Sequence, residues 1–272
     1  MTGLICAELQ RLRKSKSLLV CSILAVLLGV GFALLYKFFW DENKTVSMTY
    51  TMMQTYGMDT EVLDEALKMI PKNNIWSYIN VFMSDSMIWI LSSICACVFA
   101  ASEFDMGTLK NTVSRGCKKR DIYFSKYISV FVIVFLIAVF YIAAGGITAL
   151  TFVNETPSVS VSDMIICILI YILLFAALSG FYLMLAVIFR RSGFTVAAAI
   201  AAPMLVSALL GTASMVNRDV EHFARYMLVE SFSYVQSSVL DGQAYIPALT
   251  AVFYIAVTVV IGYAVFRKRE IK

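Results

Sequence analysis

Charge is scarce in this 272-residue chain: Asp, Glu, Lys and Arg make up 15% of it, prolines number four and there is one histidine, His222. So little charge, with 60% hydrophobic residues and a mean hydropathy of +0.81, excludes an ordinary soluble globular domain. The single histidine lies in a polar connection with no metal-ligand constellation around it, so no metal site is expected. No glycine-rich phosphate loop ends in Lys-Ser or Lys-Thr, and neither a zinc-protease helix motif nor a Gly-x-Ser-x-Gly elbow occurs. These absences leave no catalytic residue to assign and no cofactor bound by this chain.

What is present is a series of apolar runs separated by polar stretches. They predict an all-α integral membrane protein, one transmembrane domain over residues 1–272, with six spans at about 17–37, 80–101, 127–150, 163–189, 193–216 and 245–266. The first run follows a basic segment in the manner of a signal peptide, yet no small-x-small cleavage pattern comes after it, which favours a retained anchor. Before it, LICAELQRLRKSKS places Ile5, Leu9 and Leu12 on one helical face and Gln10, Arg11 and Lys14 on the other. That pattern fits a helix lying in the headgroup layer or a frayed leader.

Further along, acidic residues before Lys68 and Pro71 predict a short helix over 61–70, with Asp64 and Lys68 spaced as an i,i+4 pair. The patch Ala143, Ala144, Gly145 and Gly146 in the third span would let a neighbouring helix approach closely. Gly193 offers a turn between the fourth and fifth spans, and Pro203 should kink the fifth. Before the last span, SFSYVQSSVL aligns Phe232, Val235, Gln236, Val239 and Leu240, with serines on much of the opposite side. A helix dipping back into the outer leaflet explains this pattern better than a solvated loop.

Orientation follows from the positive-inside bias. With both termini cytoplasmic, all of the 22 Lys and Arg residues lie inside except Lys37, Lys44, Lys68, Lys72, Arg218 and Arg225. The expected location is therefore a plasma membrane, crossed several times. Basic residues clustered beside apolar runs set membrane orientation rather than bind nucleic acid, which is not expected as a partner. Cysteines agree, since Cys6 and Cys117 fall on the reducing side and Cys21, Cys95, Cys97 and Cys167 fall within spans. Ionisable residues are nearly absent from hydrocarbon depth, with Asp85, Asp163 and Glu230 placed near exterior ends and Glu103 at the cytoplasmic end of the second span. Ion-coupled carriers need intramembrane charge or broken helices, so that class is disfavoured.

One polar stretch remains, SEFDMGTLKNTVSRGCKKRDIYFSK from Ser102 to Lys126. Gly107 and Thr108 should end the preceding helix, and Phe104, Met106, Leu109 and Val113 could enter a partner's groove. The same stretch also reads simply as a positive-inside loop anchoring two spans. Its motif, Glu103, Phe104, Gly107, Thr108, Leu109, Lys110, Asn111, Ser114 and Gly116, then Arg120 and Lys126, resembles the first cytoplasmic loop of ABC type-2 exporter permeases.

The resemblance implies six spans with an amphipathic N-terminal elbow helix, a cytoplasmic coupling helix in this loop and a re-entrant segment before the last span. It further implies two permease chains, as a homodimer or heterodimer, docked on two ATP-binding subunits that carry ATP and Mg. Glu103 would sit at the hinge between span and loop, paired with a base such as Lys110 or Arg120. Small bacterial members of this family are linked to export of toxin or antimicrobial peptides and to self-protection, and uncharged spans favour a hydrophobic or amphipathic cargo. For the translocation path the candidates are Tyr36, Phe39 and Trp40 at the outer end of the first span and Pro203 in the fifth. The alternatives are an ion-coupled secondary carrier and a membrane scaffold that transports nothing.

Overall fold

The computed structural model describes residues 2–39, 75–105, 107, 117–153, 160–214, 223 and 225–268. Among the described residues all regular structure is helical. Six helices are long and apolar enough to cross a membrane: α2 (Lys16–Phe39), α4 (Ser86–Asp105), α5 (Lys119–Ala149), α6 (Val161–Phe189), α7 (Ser192–Ser214) and α9 (Tyr245–Lys268). Three shorter helices accompany them, α1 (Thr2–Arg13), α3 (Ile75–Ser84) and α8 (Glu230–Leu240). The chain is a multi-pass membrane protein. The expected helix over 61–70 lies outside the described residues, as does His222.

Small residues set the closest helix contacts. At Gly29 of α2 an added Cβ would stand 2.5 Å from the Tyr141 carbonyl oxygen, 3.3 Å from the Gly145 amide and 3.4 Å from Ala144 Cβ. The small patch of the third span thus receives α2, as its composition predicts. Gly180 of α6 does the same for α9, where a Cβ would meet Thr258 Oγ1 at 2.5 Å. At the centre of the bundle Ile133, Val134, Ile137, Leu174, Leu178 and Leu183 are fully buried.

The second span differs from its expected course. A helix does begin before residue 80, but it ends at Ser84, and the spanning helix starts anew at Ser86. Asp85 accounts for the break: its carboxylate accepts from the Met87 amide at 3.2 Å, an N-terminal cap for α4, and also from the buried Tyr141 hydroxyl. The third span begins earlier than expected. With 31 residues, α5 is about 46 Å long against a core of about 30 Å, so its basic first turns project beyond the apolar run.

The turn between α6 and α7 is made by Arg190, in left-handed conformation at φ 58°. Gly193, expected to turn there, lies inside α7. α7 continues through Pro203 without interruption. α8 buries Phe232, Val235 and Val239 as its spacing predicts, but Leu240 is exposed, and two of the serines, Ser231 and Ser238, are buried. Ser231 can be buried because its hydroxyl donates to the carbonyls of Met227 (2.7 Å) and Arg225 (2.8 Å).

Candidate functional site

α1, the last turn of α4, the first turns of α5, the start of α7 and the end of α9 meet at one end of the bundle, which also carries most of the described basic residues. The basic loop leaves this end from α4 and returns to it at α5.

Three consecutive residues of α4 are each held by a different part of the fold. Glu103 pairs with Arg11 of α1 and with Lys126 of α5. The Phe104 ring lies edge-on to Phe266 of α9, centroids 6.2 Å apart. Asp105 accepts from the Ser192 amide at 3.1 Å and its hydroxyl at 2.8 Å, capping α7 from another helix. Two residues on, Gly107 adopts φ +65° and its amide reaches the Phe104 carbonyl, so the helix stops where a left-handed residue is tolerated.

The ion pairs form one cluster. Lys126, 2% exposed, reaches Glu8 at 3.3 Å in addition to Glu103, and Arg11 lies 3.7 Å from Glu8. Arg11 also donates to Ser102 Oγ at 2.9 Å and stacks over Phe99, 4.8 Å from the ring centroid. Two carboxylates facing two cations cancel, which is the condition under which charges can be buried at all. The cluster ties α1, α4 and α5 to one another through its four charged groups. Among the described residues no group of His, Cys, Asp or Glu could hold a metal ion.

Of the loop residues singled out by sequence, Glu103, Phe104, Gly107 and Lys126 come together at this root. Arg120 does not: it is exposed over the Phe124 ring, and Glu103 takes Arg11 and Lys126 rather than Arg120. Thr108, Leu109, Lys110, Asn111, Ser114 and Gly116 lie outside the described residues. Sequence reasoning missed Glu8, Arg11, Asp105 and Ser192. The i,i+3 spacing of Glu8 and Arg11 hints at a local pair, but the partners across the fold leave no trace in the sequence.

The chain's similarity to known proteins spans this root. Residues 30–272 match the model of a family described as "Protein of unknown function (DUF2705)". The chain belongs to the DUF2705 family. Glu103 and Lys126 of the DUF2705 chain lie within the match, whereas Glu8 and Arg11 precede it. Comparison with curated proteins finds no match.

The candidate path residues of the DUF2705 chain do not converge. Tyr36 is buried against Tyr78, centroids 4.8 Å apart; Phe39 is the last residue of α2, and Trp40 lies outside the described residues. Pro203 instead lines a separate pocket beside Phe181, Leu228 and Glu230. Glu230 therefore departs from its expected place near an exterior end, since Pro203 is midway along α7. The approach to α8 also reaches well into the bundle, where Met227 Sδ accepts from Tyr254, about 14 Å along α9 from its start.

Proposed function

We propose that this protein is the transmembrane subunit of an ATP-driven exporter of the ABC type-2 class, with its basic loop as the docking element for a separate ATPase. The observation that carries the reading is the clamped root of that loop. Through Glu103, Phe104 and Asp105 the last turn of α4 engages α1, α5, α9 and α7. A push on the loop would reach four helices at once, as alternating access driven from outside the membrane requires. In this reading the ion-paired end is cytoplasmic, α1 is the elbow helix, and α8 with its approach is the re-entrant segment. Two such chains would assemble with two ATPase chains holding ATP and Mg. The cargo is hydrophobic or amphipathic, a toxin or antimicrobial peptide being the best fit to spans with so little charge.

The test is co-purification from native membrane. An ATPase should accompany the intact chain and be lost from a Leu109→Glu variant, which places charge in the docking segment. An intact chain that brings down no ATPase under conditions preserving complexes would sink the reading. A second reading, an ion-coupled carrier, is favoured by the break at Asp85 and by the carboxylate of Glu230 at depth. Transport driven by an ion gradient in the absence of ATPase would decide for it, and absence of any transport would leave a scaffold.

A further inference from the structure

The apolar run of α9 ends at Phe266, and Arg267 and Lys268 stand just beyond it, at the level where the hydrocarbon gives way to headgroups. Lys119 Nζ donates to the Arg267 carbonyl at 3.3 Å, which holds the first turn of α5 at the same level. Lys118, Arg120, Arg267 and Lys268 are exposed there, so two helix ends present four basic side chains around Lys119. Arg120 leans over Phe124, one turn deeper, at 5.9 Å from the ring centroid. That is the posture of a long base whose stem lies on apolar surface while its head stays among polar groups.

Little at this end neutralises these bases. Of the described carboxylates, Glu8 and Glu103 are taken by Arg11 and Lys126, and Asp105 caps α7 through Ser192. Asp121, in the first turn of α5, is left against five bases and forms no ion pair with another described residue. The sequence beyond, Arg269 to Lys272, adds two bases and one acid. Such an excess favours an anionic partner.

The surface beneath the bases indicates which kind. Phe253 and Val260 precede Arg267 at seven-residue spacing on one face of α9, with Ile261 in the same relation to Lys268, and all three apolar residues are exposed. From Arg267 to Phe253 the helix descends about 21 Å, past the roughly 15 Å of hydrocarbon in one leaflet. An acidic protein docking from water would meet the bases alone. A lipid with an anionic headgroup matches the bases and the apolar stripe together.

We infer that the start of α5 and the end of α9 form a binding site for an anionic phospholipid, its phosphate held among Lys118, Arg120, Arg267 and Lys268 and one acyl chain laid along the exposed face of α9. The site does not depend on the exporter reading.

The experiment uses the full chain, stripped of lipid in a neutral detergent, and native mass spectrometry with phosphatidylglycerol and phosphatidylcholine of matched acyl chains in equal amounts. Phosphatidylglycerol should be retained roughly tenfold or more over phosphatidylcholine, since each base near the surface is worth about fivefold in affinity. Lys118→Gln combined with Arg267→Gln should weaken phosphatidylglycerol binding by about 25-fold on the same scale, and Arg267→Lys should keep it. Arg13→Gln combined with Lys14→Gln removes the same charge from exposed positions after α1 and should leave the preference as it is. Equal retention of the two lipids would overturn the inference, and so would equal loss in both double variants, which would reduce the effect to diffuse charge. Full displacement by inorganic phosphate at the lipid's own concentration would also overturn it, because a free anion would then suffice without a chain on α9. An ATPase lost from Lys118→Gln with Arg267→Gln in co-purification, with lipid retention unchanged, would assign the bases to a protein instead.

Discussion

Removing the ammonium of Lys126 leaves two carboxylates, Glu8 and Glu103, in a buried site with Arg11 as their sole remaining cation in the cluster. Breaking a buried network from one side costs about 3–5 kcal/mol. Lys126→Met should lower unfolding stability in bicelles by that order, and adding Glu103→Gln should return part of the loss. Arg11→Ala should cost less, about 1 kcal/mol, because its side chain is 34% exposed and water can take over. If Lys126→Met melts like the wild type, the cluster does not hold the loop root. At this scale the sequence pointed to one half of the cluster and was silent on the half it touches. Glu103 and Lys126 stood out through a motif. Of their partners, Arg11 sat on what reads as the polar side of a short helix and Glu8 was not singled out, because helical periodicity reports a face and not what another element brings to it.

Among elements, the two glycines of α2 give opposite forecasts. At Gly29 an added methyl runs into the Tyr141 carbonyl, a backbone atom that cannot rotate away, whereas at Gly31 nothing lies within 4 Å. Gly29→Ala should separate α2 from α5 and destabilise by about 1–3 kcal/mol. Gly31→Ala should be neutral or stabilising by up to about 1 kcal/mol, as the better helix former. Thermal unfolding of the two variants side by side checks this, and equal shifts would mean that α2 does not seat on the small patch. Such contacts were partly legible, since runs of Ala and Gly announce close approach without naming the partner. Helix limits were less so. The break at Asp85 and the cap that Asp105 places on α7 depend on side chains meeting across the bundle, and apolar run lengths carry no record of them.

For the whole molecule, the proposed orientation is open to a direct chemical check using the chain's own thiols. Cys6 is exposed and Cys117 half-buried at the ion-paired end, while Cys21, Cys95, Cys97 and Cys167 are buried. A membrane-impermeant maleimide should spare intact cells and modify Cys6, with slower reaction at Cys117, in inverted vesicles. Labelling of Cys6 in intact cells would reverse the topology and place the basic loop where no cytoplasmic ATPase could reach it. Span number and class were the most legible features of the sequence, because a hydrocarbon core of fixed thickness imposes a length and composition that few other environments demand.

The cluster at the loop root also has a history within each copy of the protein. Glu8 is made early, but the lysine that completes its neutralisation lies 118 residues downstream. At about 5–20 residues per second a ribosome needs on the order of ten seconds to reach it. Until α4 has been made, the only one of these ion pairs open to α1 is the local contact of Glu8 with Arg11. The first helix of the nascent chain therefore docks in two steps, Arg11 onto Glu103 once α4 has been made and Glu8 onto Lys126 once α5 has followed, and the completed cluster reports that the first half of the protein has been inserted.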